Sequence, residues 1–295
     1  MHIVIADQME EDVVKGISAL GQVVYKPADV KAALSDADVL IVRSATTVTK
    51  DLIAGAKKLK VVARAGVGLD NVDQAACAEK GIKVLNTPGA STNAVAELVI
   101  GLMIGAMRNV QKAHHQMKGG KWEKKALVGR EIEGKTLGVI GYGRIGAAVA
   151  KKAHALGMKI IAFNPPPRHE DGIARFVDSL DEFLNQSDVV TLHAALTDGT
   201  RMIINRDNIA KMKDGAFIVN TARGEMIDEG ALYEAIKSGK ISGAAIDVFP
   251  EEPYKGRLLE LENVYLTPHL GASTKEAQGR IGAELVRILK EELKG

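Results

Sequence analysis

The stretch Gly138-Val139-Ile140-Gly141-Tyr142-Gly143-Arg144-Ile145-Gly146 decides how the rest of the chain is read. Its glycines at 141, 143 and 146 have the G-x-G-x-x-G spacing. The spacing alone is weak, because glycine-rich turns are common. Its flanks strengthen it: Thr136 to Ile140 reads as a strand and Arg144 to Leu156 as a helix. That is the strand–turn–helix in which such a turn receives a dinucleotide. Gly141 permits the tight turn, Gly143 lets a pyrophosphate approach the backbone, and Gly146 lets the helix pack on the sheet. The amides of Arg144 and Ile145 then face the phosphates from the positive end of the helix.

Outward from this turn the same alternation continues. Short β-branched runs recur at His2-Ile3-Val4-Ile5, Val23-Val24-Tyr25, Val39-Leu40-Ile41-Val42, Val61-Val62-Ala63 and Lys83-Val84-Leu85. Beyond the turn they recur at Ile160 to Phe163, Val189 to Leu192, Ala216 to Val219, Ala244 to Ile246 and Val264 to Leu266. Amphipathic segments such as Glu11 to Leu20 and Asp70 to Lys80 lie between them. Strands apolar on both faces and alternating with helices mean parallel sheets covered on two sides. The expected fold is α/β, with two doubly wound parallel-sheet domains: a Rossmann cofactor domain and a flavodoxin-like domain. Asn93 to about Lys118 reads as one long helix, with Gly101 and Gly105 on a face that another backbone can approach.

The 295 residues agree with two domains at about 150 residues each. Apolar residues make up 46% and charged residues 26%, which excludes low-complexity disorder. A net charge of +2 leaves no footprint for nucleic acid. The most apolar stretch, Ala94 to Met107, contains Glu97 and falls short of the ~20 residues that cross a bilayer, so no membrane partner is expected. The start shows no basic region followed by a long apolar run, and a cytoplasmic protein is expected. The one cysteine, Cys77, excludes an internal disulfide and a cysteine zinc site. His114 and His115 are adjacent on a helix and point in different directions, so no metal is expected.

Cofactor choice turns on the strand after the glycine turn. An acidic residue usually ends it and bonds the adenosine ribose. Here Asn164 does, and it carries no charge to repel a 2′-phosphate. Arg168 lies just beyond Pro165-Pro166-Pro167 and offers a cation for one. The reading favours NAD and leaves NADP open.

Three chemistry-bearing residues follow strands of the second half. Arg223 stands in Asn220-Thr221-Ala222-Arg223-Gly224, Glu252 in Pro250-Glu251-Glu252-Pro253, and His269 in Pro268-His269-Leu270-Gly271-Ala272. Singly, each has an ordinary explanation: a salt bridge, a loop acid, a satisfied histidine. Beside a dinucleotide turn they form a constellation. Oxidation of a hydroxy acid needs a fixed cation for the carboxylate, which the forked guanidinium supplies. It needs a base for the hydroxyl proton, which histidine supplies, and a carboxylate beside the imidazole orients it and favours its charged form.

At this point the sequence resembles the D-isomer-specific 2-hydroxyacid dehydrogenases, and among them the 3-phosphoglycerate dehydrogenases, over essentially its whole length. The resemblance rests on Leu40 to Thr46, on Arg64-Ala65-Gly66-Val67-Gly68-Leu69-Asp70-Asn71-Val72-Asp73, on Asn86-Thr87-Pro88, on the glycine turn, on Asn220 to Gly224, and on Pro268 to Thr274. It implies that Arg223 binds the carboxylate and 2-oxygen, that His269 is the acid/base and that Glu252 pairs with it. It implies that Asp247 holds the nicotinamide carboxamide, while the backbones at Thr221-Ala222 and Gly271-Ala272 line the nicotinamide. Ala194, in His193-Ala194-Ala195-Leu196, falls on the adenosine side, where relatives usually carry His-x-Pro-Leu. Val67 and Gly68 amides would clasp the carboxylate. Arg43 with Ser44, and Arg64, match positions that bind a substrate phosphate, so the implied partner is a small phosphorylated 2-hydroxy acid. Lys124 or Lys125, near Trp122, would add charge from a partner subunit.

The family also implies a discontinuous substrate-binding domain, residues 1–88 and 273–295, around a dinucleotide-binding domain, 89–272. The site would lie in the cleft between them and close by hinge motion. The expected activity is NAD-dependent oxidation of 3-phosphoglycerate at the start of serine synthesis, by a homodimer. A glyoxylate, hydroxypyruvate or other D-2-hydroxyacid reductase, with linkage to NADPH open, is the enzyme alternative. A non-catalytic nucleotide-sensing protein is the alternative of another class. The chain stops at Gly295, and no regulatory extension is expected.

Overall fold

The computed structural model describes residues 1–166, 168 and 170–293. Pro167, the last residue of the expected triple-proline loop, lies outside them, as do Lys294 and Gly295 of the expected substrate domain. The chain divides into two compact units, Met1–Ala94 with Ala272–Gly295, and Val95–Gly271. The chain passes from one to the other in the first turn of the helix Thr92–Met107 and returns at Gly271.

The first unit holds β1 (His2–Ile5), β2 (Gln22–Tyr25), β3 (Val39–Val42), β4 (Val61–Arg64) and β5 (Lys83–Asn86). They pair in the order β2-β1-β3-β4-β5, all parallel. This is the flavodoxin-like order, with its switch point between β1 and β3. Side chains alternate between two cores, as period-two strands require. Ile3, Ile5, Val39 and Ile41 face one side, where Ile281, Leu285 and Leu289 of the helix Lys275–Glu292 cover them. Val4, Leu40 and Val42 face the other with Leu34, Ile53 and Cys77.

The second unit holds β6 (Thr136–Ile140), β7 (Lys159–Phe163), β8 (Ala174–Phe176), β9 (Val189–Leu192), β10 (Ala216–Asn220), β11 (Ile241–Ile246) and β12 (Val264–Leu266). Their order is β12-β11-β10-β9-β6-β7-β8, again all parallel. The switch point falls between β6 and β9, where open α/β sheets take ligands. Every residue of β9 and β10 is buried. One face packs on Phe183, Leu232 and Met226, and the other on Val99, Met103 and Val149.

Two sequence expectations change. The helix expected from Asn93 to Lys118 is two helices, Thr92–Met107 and Val110–Lys118, bent by 65°. Asn109 makes the break by taking a left-handed φ of 55°, which asparagine tolerates better than most residues. The side chain of Gln111 folds back so that it fills the space beside Gly105. The second change is β8, which the sequence reading omits. Among the described residues no single helix is long and apolar enough to cross a membrane.

Candidate active site

The glycine turn links β6 to the helix Arg144–Ala155. Gly141 has φ +89°, and a Cβ there would strike the backbone of His193 and Ala194. Gly146 packs against the Gly141 carbonyl. Gly143 differs: a Cβ on it would meet no described atom within 4 Å. The turn is therefore tight below and open above, the space a pyrophosphate needs. Side chains of Asp29, Asp73, Ser179 and Thr274 cap other helices, but among the described residues no side chain caps the helix that follows Gly143. Its first amides keep their donors for a ligand. These residues fit a dinucleotide.

Asn164 braces this turn. Its Oδ1 accepts the Tyr142 N–H at 2.9 Å, and its Nδ2 donates to the Pro165 carbonyl at 2.8 Å. The Tyr142 hydroxyl donates to Asp171 Oδ2 at 2.9 Å, and burial, then Asp171, hold that phenol above its ordinary pKa. Arg168 donates from Nε to the Asn164 carbonyl, pairs with Asp178 at 2.5 Å and lies over the Phe176 ring. The cation expected for a 2′-phosphate already has a carboxylate partner, which favours NAD.

His193 follows β9. Its Nε2 lies 2.8 Å from Thr191 Oγ1, and burial pulls its pKa down to about 3. Desolvation, with only a neutral hydroxyl as partner, favours the uncharged ring.

Arg223, Glu252 and His269 follow β10, β11 and β12, three neighbouring strands that present their carboxyl ends together. Asn220, wholly buried at the end of β10, shapes the first loop. Its Oδ1 accepts Ala222 N–H at 3.0 Å and its Nδ2 donates to the Arg223 carbonyl at 2.8 Å. The neighbouring Thr221 Oγ1 is buried with no partner among the described residues, an atom aimed at nothing the protein itself supplies.

His269 Nδ1 donates to Glu252, 3.0 Å from Oε2 and 3.2 Å from Oε1. Glu252 Oε1 also accepts the Phe249 N–H at 3.1 Å. The carboxylate offers only lone pairs to the ring, so the proton sits on Nδ1 and Nε2 is left as the acceptor. The His269 backbone is left-handed, φ 54°, a strain of about 1–2 kcal/mol for a residue with a Cβ.

Asp247 holds that strain. It is 1% exposed and sits just after β11. Its Oδ1 accepts Thr267 Oγ1–H at 2.5 Å and Leu270 N–H at 2.7 Å, and its Oδ2 accepts Gly271 N–H at 2.9 Å. Its own carbonyl accepts His269 N–H at 2.9 Å. Burial raises its pKa against these donors. Asp247, expected to hold the nicotinamide carboxamide, also organises the 267–271 loop through these bonds.

In the first unit Arg43 follows β3, and Arg64 ends β4 next to it. A Cβ on Gly66, φ +155°, would lie 2.5 Å from Arg64 Nη1, so a side chain there would displace that guanidinium. Asn86 Nδ2 donates to the Val67 carbonyl at 2.6 Å, and Thr87 N–H to the Gly66 carbonyl at 3.0 Å. These bonds brace the loop that carries Val67 and Gly68. Ser44 is exposed. Asn71, Asn86, Asn220 and Asp7 all brace site loops, and the sequence reading assigned none of them a role.

Comparison with known proteins places this geometry. Residues 100–271 match the family model of the D-isomer specific 2-hydroxyacid dehydrogenase, NAD binding domain. The chain is 56% identical to a hydroxypyruvate reductase of Thermotoga maritima, over 88% of this chain and 86% of that protein. It is 50% identical to a D-3-phosphoglycerate dehydrogenase of Methanocaldococcus jannaschii, over 100% of this chain but only 58% of that protein. The solved D-lactate dehydrogenase of Aquifex aeolicus with NAD and lactic acid is 30% identical and superposes with a TM-score of 0.88, covering 100% of this chain and 96% of that one. The chain belongs to the D-isomer specific 2-hydroxyacid dehydrogenases, NAD-dependent oxidoreductases of 2-hydroxy acids, and its second unit carries their NAD-binding domain.

Proposed function

We propose that the chain oxidises 3-phosphoglycerate to 3-phosphohydroxypyruvate with NAD, the entry step of serine synthesis. The observation that carries the choice of substrate is Arg43. It stands beside Arg64 at the carboxyl ends of β3 and β4, yet among the described residues it forms no ion pair. A half-buried arginine at a sheet's carboxyl end without an acid is suited to an anionic ligand, and forked guanidinium geometry matches phosphate.

Both units have roles in this reaction. In the second unit, Arg223 binds the substrate carboxylate and 2-oxygen. His269 Nε2 takes the hydroxyl proton, and Glu252 supports the imidazolium that forms. Gly143, Arg144 and Ile145 hold the pyrophosphate. Gly141 and Gly146 shape the turn, and Asn164 and Ala194 flank its adenosine side. Thr221, Ala222, Gly271 and Ala272 line the nicotinamide. NAD, when bound, supplies the hydride acceptor. In the first unit, Arg43, Ser44 and Arg64 bind the phosphate, and Val67 and Gly68 the carboxylate. A homodimer fits the segment after the second helix, where Trp122 is 79% and Val128 82% exposed.

A second reading, reduction of hydroxypyruvate, is favoured by the identity with the Thermotoga maritima enzyme. The deciding experiment assays 3-phosphoglycerate, glycerate and lactate, each with NAD and NADP. Preference for 3-phosphoglycerate with NAD is expected; a preference for glycerate overturns the substrate assignment.

A further inference from the structure

We propose that Gln278 is a positioning residue that sets selectivity for the phosphorylated substrate, by holding the Arg43 guanidinium in place without neutralising it. This rests on the reading of Arg43 as a phosphate ligand. Arg43 is fixed at four points. Its N–H donates to Asp7 Oδ2 at 2.6 Å and its carbonyl accepts Asn71 Nδ2–H at 2.7 Å. Its guanidinium donates to the Gln8 carbonyl at 3.1 Å and to Gln278 Oε1 at 2.6 Å. Both guanidinium acceptors are neutral. The nearest acid in this network, Asp7, is occupied by the N–H groups of Arg43 and Thr46 and by the Thr46 hydroxyl at 2.6 Å.

The direction of the Gln278 amide is not arbitrary. Its Nε2 donates to the Ala272 carbonyl at 2.7 Å. An amide has one nitrogen and one oxygen, so that bond turns Oε1 toward Arg43. The helix that carries Gln278 is capped by Thr274 and anchored by the buried Ala277 and Ile281, which fixes its starting point. A glutamate of the same shape would cancel the arginine charge and set a second oxygen against the Ala272 carbonyl. Glutamine gives direction with no charge, and the guanidinium keeps its full attraction for a dianion. A substrate without a phosphate gains nothing from this arrangement.

The test compares wild type, Q278E, Q278L and R43A. For each, kcat and KM are measured with NADH for 3-phosphohydroxypyruvate and for hydroxypyruvate, alongside NADH affinity and Tm. A hydrogen bond to a charged group corresponds to a change of about tenfold or more. Q278E is therefore expected to raise KM for the phosphorylated substrate by about that factor, with kcat moving less than about twofold and hydroxypyruvate kinetics unchanged. Q278L, which keeps the charge and loses the direction, is expected to raise the same KM less. Equal losses on both substrates overturn the proposal in favour of a purely structural role. An unchanged KM in Q278E and Q278L, where R43A raises it, overturns the role of Gln278 and leaves the phosphate reading standing. An unchanged KM in R43A overturns the phosphate reading and the role of Gln278 with it.

Discussion

The carboxyl edges of the two sheets treat their key cations in opposite ways. At the edge of the second sheet, His269 is given a carboxylate, Glu252, at 3.0 Å. At the edge of the first, Arg43 is given only carbonyl oxygens, from Gln8 and Gln278. The difference follows from what each group must do. A base that becomes charged during turnover gains from a fixed counter-ion, which stabilises the charged form. A cation that must attract an anion loses by having one already. The second sheet contains its own control: His193, just after β9, faces the neutral Thr191 hydroxyl, and desolvation lowers its pKa to about 3.

The contrast can be broken most severely at the base itself. His269→Ala should lower kcat by about 10²–10⁴-fold, the usual range for a general base, and leave NADH affinity intact. Stopped-flow turnover with fluorescence titration of NADH checks both, and near-normal turnover would sink the mechanism. Glu252→Gln gives His269 the kind of neutral partner that Arg43 has. A charge-assisted hydrogen bond is replaced by a neutral one, and kcat should fall by about tenfold or more. Asp247→Asn keeps the shape but turns a donor toward one of three N–H or O–H groups. The His269 loop then loses its support, and kcat/KM should fall by about tenfold, with Tm lowered.

The smallest effect concerns His193. Its folded pKa of about 3 lies below the ordinary 6.5, so the unfolded chain binds more protons between those values. The stability it contributes is complete above 6.5 and is lost as pH falls toward 3. The Tm gap between wild type and His193→Asn should therefore narrow from pH 7 to pH 4.5. A constant gap would show that the ring is not held neutral by the fold.

Most strands were legible because β3, β9 and β10 are buried on both faces and read as unbroken apolar runs. β8 was not, because it is a three-residue edge with Arg175 at its centre. The bend at Asn109 carries no proline or glycine to announce it. The reactive trio was legible because a histidine, an arginine and an acid that each follow a strand are already a chemical pattern. Their supports were not. Asp247 was visible as an acid just after a strand, but the three loop donors it accepts from reach it only once residues 267–271 fold back on it. Gln278 lies 235 positions from Arg43, and nothing in either residue type announces the other.

The helix Lys275–Glu292 has a consequence for the order in which the chain is made. Ile281, Leu285 and Leu289 close a core whose other walls, Ile3, Ile5 and Ile17, leave the ribosome first. The whole of the second unit is synthesised in between. At about 5–20 residues per second, the first sheet waits for about 10–40 seconds with one apolar face only partly covered, by the helix that carries Ile17. The second unit, whose residues are contiguous, meets no such delay. Vectorial synthesis therefore favours completion of the NAD-binding domain before the unit whose first strand began the chain.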